Sequence, residues 1–289
     1  MVQLLTKKMR DNWLSVHLYS AVSLDLILLH IVRPFLADHF IPSADSFFFI
    51  RYWDEGSHIR LRMQVPAVRE PDLLDALDQQ IRSVPSLGCK LKVVAYEPEI
   101  DRYGNAHTIH FAEHYFFLSS RYILAHVVPK PQRGSPLTEA IHLQLILLKA
   151  LGWEIPHLCQ LLDYFIGGWI RRLFDPLQDP EAEHRFWSDQ FEKNFNHKAA
   201  TFKPAIAQLW SDLDNKEKSD DTTVFLTAST QLLRSYLAAI DDPQKKIAIC
   251  ASLIHMNNNR VGLSNLDEAY ASYCLRHSLQ AILSSQNPI

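Results

Sequence analysis

Glycine is scarce in this chain, 8 residues in 289, and no stretch is dominated by a few residue types. Fibrous and low-complexity architectures are excluded on that count. Apolar runs are short as well. Stretches such as 143–148 stop far below the roughly 20 residues that a membrane span requires. At the N-terminus the charges of Lys7 and Lys8 follow the apolar residues, the reverse of a secretory signal. The expectation is a soluble, cytoplasmic protein. Only four cysteines occur, Cys89, Cys159, Cys250 and Cys274, far apart and without a CxxC pair. Structural zinc needs clustered soft ligands, so free thiols in a reducing compartment are expected instead. Histidine is plentiful at 14 residues, yet no HExxH-type pair sets two of them for a metal, and none is expected. Positive charge is not in excess: 29 Lys and Arg face 32 Asp and Glu, a net charge of −3. That excludes a broad nucleic-acid footprint, though not a local basic patch. A P-loop is also missing, so any ATP site would be of another kind.

What is present is an ordinary globular composition, 47% hydrophobic and 21% charged. The first hundred residues carry strand patterns. Residues 13–19 (WLSVHLY) alternate apolar and polar side chains, the period of a half-buried strand. Residues 46–53 are aromatic and β-prone, DEGS at 54–57 supplies a turn, and 58–65 alternate strictly, which together predict a β-hairpin. Residues 24–40 read as a helix with Leu24, Ile27, Leu28, Ile31 and Phe35 on one face. A second helix is predicted over 71–84, with proline at its start, and a further strand over 89–97. From about Thr108 helix follows helix: 108–118, 137–151, 155–174, 180–195, 204–213, 222–239, 243–256 and 266–282. The expected fold is α+β, a sheet-rich N-terminal part packed with a largely helical C-terminal part in one domain over 1–289.

Three stretches carry chemistry. In HIRLR, His58, Arg60 and Arg62 fall on one strand face and Ile59, Leu61 and Met63 on the other, so two guanidiniums and an imidazole form a donor surface for carboxylate or phosphate. In YEPEIDRYG (96–104), three acids and an arginine follow a strand; Glu99 meets Arg102 across a turn or faces the basic strand. In HMNNNRVG (255–262), an apolar helix runs into a histidine, three asparagines and an arginine. A histidine at such a helix end would feel the negative pole of the dipole and act as a proton donor. Taken singly, each has a plainer reading: a solvated sheet face, a polar loop, a helix cap.

In this order and roughly this spacing, FFFIRYWDEGSHIRLRM, YEPEIDRYG and HMNNNRVGLS resemble the C-terminal domain of lantibiotic dehydratases. That domain also occurs alone as the thiopeptide-type bacteriocin biosynthesis protein, or small LanB-like protein. The resemblance runs from Trp13 to about Leu279. It implies the biosynthesis of a ribosomally synthesised, post-translationally modified peptide. In full-length members of the family that it resembles, an N-terminal domain glutamylates Ser or Thr of the precursor with glutamyl-tRNA, and the C-terminal domain eliminates glutamate to leave a dehydroamino acid. Carried over by motif, the resemblance implies catalytic roles for Arg60, Arg62, Glu99, Arg102 and His255. Their neighbours His58, Arg51, Asn259 and Arg260 are expected to contact substrate. Two departures from the family pattern, Asn105 for a second glycine after RYG and Ser119-Ser120 for Asp-Ser, bear on the loop before the Thr108 helix.

Elimination needs a base for the α-proton, donors for the enolate and cations for the departing carboxylate. Arg60 and Arg62 suit the anion, Glu99 a base or orienter, His255 proton transfer. The same surface would hold a peptide C-terminus or an acyl phosphate, so residue types do not choose the reaction. The favoured expectation is a peptide aminoacyl-tRNA ligase, which adds an amino acid from aminoacyl-tRNA to a carrier peptide with ATP and Mg. The alternative is an elimination lyase that works beside a glutamylating partner and needs no cofactor. A ring-forming cycloaddition enzyme and an idle peptide-binding module rank lower. A ligase must grip tRNA through phosphate contacts, for which the patches are Lys7-Lys8-Arg10, 130–133 and Arg171-Arg172. All versions require the basic strand, the acidic turn and the late imidazole to share one pocket. A homodimer is left open.

Overall fold

The computed structural model describes residues 13–41, 44–129, 135–214 and 220–286. Contacts divide the chain at residues 133 and 134 into two compact units. The two basic patches at 7–10 and 130–133 lie outside the described residues.

The first unit is built on a four-stranded antiparallel sheet in the order β2-β3-β1-β4. Its strands are β1 (Trp13–Tyr19), β2 (Ser46–Tyr52), β3 (His58–Gln64) and β4 (Lys90–Val93). Val16 stands opposite Leu61, and Leu61 opposite Phe49. This register puts Leu14, Val16, Leu18, Phe47, Phe49, Ile59, Leu61 and Met63 on one face, each 5% exposed or less. Burying each large side chain contributes roughly 1.5–3 kcal/mol, and a slip of one residue would turn the whole set toward the other face. The hairpin is therefore pinned, and Ser15, His17, Arg60 and Arg62 share the opposite face.

The helix expected over 24–40 is three consecutive pieces: α1 (Leu24–Ile27), a π-helical turn (Leu28–Val32) and α2 (Arg33–His39). Pro34 explains the interruption, since it offers no N–H to the carbonyl of His30. Gln80 of α3 (Glu70–Ser83) donates its amide to that carbonyl instead, at 2.8 Å. β4 is shorter than the expected 89–97. Its last tie to β1 is Val94 N donating to Ser15 O at 3.0 Å, after which the chain turns through Glu99 and Arg102. Helix α4 (Ile109–His126) runs well past Leu118. Ser119 and Ser120 are weak helix formers, but both hydroxyls are fully buried with internal partners. Ser120 Oγ accepts from Phe49 N at 3.2 Å and so covers the edge of β2. Asn105, the other departure, supplies the turn into α4: its side chain accepts from His107 N at 2.8 Å, and its own N donates to Thr108 Oγ1 at 2.9 Å.

The second unit is helical: α5 (Pro136–Leu151), α6 (Ile155–Ile170), α7 (Pro180–Asp212), α8 (Asp221–Ala238), α9 (Pro243–Val261) and α10 (Asn265–Gln286). Asp179, Asp220 and Asp242 cap α7, α8 and α9 by accepting from backbone N–H groups in the first turn. Two expectations are corrected here. The segments 180–195 and 204–213 form one 33-residue helix with Pro204 in its interior. Ala200 and Pro204 are both exposed, so the carbonyl that loses its partner opens to water, which reduces the penalty of an interior proline. The segment 243–256 continues to Val261, and the polar run of HMNNNR is helix interior; Gly262, at φ 77°, ends it in the left-handed conformation. Among the described residues no helix is long and apolar enough to cross a membrane. All four cysteines are free. Burial pushes the Cys250 and Cys274 thiols up to about 12, which leaves both as inert core groups.

Candidate active site

On the polar face of the first sheet, Arg60 lies opposite His17 and Arg62 opposite Ser15. The Arg60 guanidinium rests 3.3 Å above the ring of Tyr52, and its Nε donates to His58 Nε2 at 3.2 Å. His58 Nδ1 is 2.7 Å from Gly56 O, so the neutral tautomer with the proton on Nδ1 satisfies both contacts. Burial lowers the His58 pKa, with Arg60 adding to the effect. His17 stacks on His58 at 4.7 Å between ring centres. Burial, then the charge of Arg60, pushes the His17 pKa down to about 4. Two stacked imidazoles, one of them bonded to Arg60, thus flank the guanidiniums.

Arg62 is deeper, 9% exposed. Its guanidinium carbon sits 4.8 Å from the ring centre of Tyr96 and 5.4 Å from that of Phe48, and Trp13 packs on both rings at 5.3 Å. Its buried Nε has no hydrogen-bond partner among the described residues. Behind Tyr96, the hydroxyl donates to Glu113 Oε1 at 2.8 Å. Burial raises the Glu113 carboxyl to about 7, against opposing pulls from Tyr96 and Arg62. Among the described residues neither Arg60 nor Arg62 has a carboxylate at ion-pair distance. Burial lowers the Arg62 pKa, with Glu99 and Glu113 too far for an ion pair but near enough to favour its charge, and face-on aromatic contact adds to that support. Glu99, by contrast, pairs with Arg102 at 2.9 Å, both partly exposed.

In the second unit, His255 lies on α9 well before its end, so the dipole of a terminal turn does not act on it as expected. A carboxylate does. Glu268 of α10, 1% exposed, places its two oxygens 2.9 and 3.1 Å from His255 Nδ1. Trp169 of α6 covers the imidazole at 4.7 Å, and Arg172 stacks over Trp169 at 4.1 Å. Two residues expected to contact substrate have partners within the chain. Arg51 stands opposite Ile59 on the core face and pairs with Asp25. Arg260 is fully buried and donates to Met256 O at 2.9 Å. Asn259 is also buried, at 8% exposure. Within the first unit, Arg60, Arg62 and His58 thus form one cluster, with the Glu99–Arg102 pair near enough for Glu99 to act on Arg62; within the second, His255 groups with Glu268 and Trp169. Sequence reasoning missed Tyr96 and Glu113 as supports of Arg62, and Glu268 as the partner of His255. For Tyr96 the signal was an aromatic at the head of the acidic motif. For Glu268 nothing local distinguished one acid from another.

A family model described as the lantibiotic biosynthesis dehydratase C-terminus matches residues 13–279. The chain belongs to that family. Solved structures share the fold. The tRNA-dependent lantibiotic dehydratase MibB from Microbispora sp. 107891 matches at TM-score 0.68 and 21% identity over 96% of this chain, which spans 28% of MibB. TbtD, the pyridine synthase of thiomuracin biosynthesis, matches at 0.66 and 12% identity, over 95% of this chain and 99% of its own. TsrL matches at 0.63 and 16% identity, over 94% and 96%. No curated protein sequence matches the chain.

Proposed function

We propose that the chain helps to mature a ribosomally made peptide, and that its reaction is β-elimination of glutamate from a glutamylated Ser or Thr prepared by a separate partner. The observation that carries this reading is Arg62: a buried guanidinium with an unpartnered Nε, beside Arg60, on a face with no carboxylate at ion-pair distance among the described residues. Such a face fits a substrate that brings its own carboxylate and leaves as one. In the step itself a base takes the Cα proton, that electron pair becomes the Cα=Cβ bond, and the Cβ–O bond breaks to release glutamate. His255 is assigned the proton. Arg60 and Arg62 are assigned the leaving carboxylate, with the Glu99–Arg102 pair as orienter.

The tRNA- and ATP-dependent ligase is the second reading; of its three basic patches, Arg171-Arg172 lies among the described residues, with Arg172 over the ring of Trp169. The test weighs peptides. Glutamylated precursor should lose glutamate on incubation with the protein alone. A gain of one amino-acid residue that requires ATP, tRNA, a synthetase and amino acids would replace this reading with the ligase. Ring closure on a peptide bearing two dehydroalanines would replace it with cycloaddition.

A further inference from the structure

A line of hydrogen bonds through the second unit ends on the carboxylate that touches His255. Ser272 Oγ donates to Gln144 Oε1 at 2.9 Å, and Gln144 Nε2 donates to Asn258 Oδ1 at 3.0 Å. Asn258 Nδ2 then donates to Glu268 Oε2 at 3.2 Å. Ser272, Gln144 and Asn258 are fully buried. The polarity of the line is uniform: each group accepts from the one behind and donates to the one ahead. Only an acceptor can terminate it, and an ionised carboxylate is acceptor-only. Glu268 therefore meets Asn258 as an acceptor, and its remaining capacity faces His255 Nδ1.

We propose that Glu268 is a positioning residue for His255. It holds the proton on Nδ1, leaves Nε2 as the atom that exchanges protons with substrate, and is itself held in register by the Ser272–Gln144–Asn258 line. Burial raises the Glu268 pKa, while His255, Asn258 and Arg172 pull it back. A carboxylate behind an imidazole fixes the tautomer and steadies the imidazolium as it forms. The assignment rests on the proton-transfer role given to His255 above, but its first test does not.

The experiment is ¹⁵N NMR of the full chain with labelled histidine, the His255 signals being those lost in His255→Asn. In the wild type, Nδ1 should carry the proton and Nε2 should show the shift of an unprotonated nitrogen. In Glu268→Gln the Asn258 amide claims the new carbonyl, the new NH₂ turns toward Nδ1, and the tautomer should reverse. With glutamylated peptide, kcat of Glu268→Gln should fall roughly a hundred- to ten-thousand-fold at little change in KM, with partial recovery in Glu268→Asp. An unprotonated Nδ1 in the wild type, or an unchanged tautomer in a folded Glu268→Gln, would overturn the assignment. The expected tautomers without elimination activity would instead remove the reaction and leave the positioning role standing.

Discussion

The arginine face of the first unit and the imidazole of the second hold their functional groups by opposite means. Arg60 and Arg62 rest on the rings of Tyr52, Tyr96 and Phe48, a contact that places a planar cation while leaving N–H groups for a ligand. His255 is tied on one nitrogen by a buried carboxylate, itself fastened through Asn258. The contrast follows from the tasks assigned to each. An anion seat needs donors left open until substrate arrives, whereas a proton-transfer group needs its orientation and tautomer decided beforehand. Ring contacts tolerate a shift of the cation, but a hydrogen-bonded imidazole tolerates little.

The contrast can be broken from either side. The largest effect is expected at the imidazole. His255→Asn should lower kcat for elimination by roughly 10²–10⁴-fold, the usual range for a general acid–base group, with KM little changed in steady-state assays. Next comes Arg62→Lys, which keeps the charge but loses the planar fork and ring contact. Its kcat/KM should drop roughly 10²–10³-fold, as when one preorganised donor is removed. A wild-type value there would show that the aromatic seat is not needed.

The third prediction concerns stability. The Glu113 carboxyl, at about 7 in the folded chain, lies above its ordinary value, so the folded state binds the proton more tightly than the unfolded one. That stabilisation is complete below the ordinary carboxylate range and is lost as pH rises toward 7. Glu113→Gln keeps the acceptor for Tyr96 and removes the titration. It should match the wild type near the bottom of that window and exceed it by about 1–3 kcal/mol above pH 8, measured by urea unfolding at each pH. Smallest is the Glu99–Arg102 pair: Arg102→Ala should shift the unfolding free energy by less than about 1 kcal/mol, although elimination should slow. A larger destabilisation would make that turn a structural tie.

Where local pattern decides, the sequence was readable. The alternation in HIRLR placed Arg60 and Arg62 on one face of a real hairpin, and Pro71 opens α3 as expected. What the local pattern does not reveal has tertiary causes. Pro204 reads as a boundary, yet solvent can take up the freed carbonyl. The helix expected to stop at Leu118 runs on to His126, since Ser119 and Ser120 are buried there with internal partners. Arg51 sits beside the site in sequence and on the opposite face of the pleat from Arg60 and Arg62, a distinction that only register reveals. Glu268, thirteen residues beyond His255, depends on how α9 and α10 pack, and no motif encodes that.

The Ser120 hydroxyl that receives the amide of Phe49 has a further consequence. One margin of the sheet has its Phe49 amide taken by a side chain of the neighbouring helix, so that position is not open for a strand from a second chain to zip onto β2. At the other margin, the short β4 carries Lys90 and Lys92, which repel such recruitment. Loss of the Ser120 hydroxyl would leave a bare amide in apolar surroundings and turn a sealed border into a place where misfolded copies join.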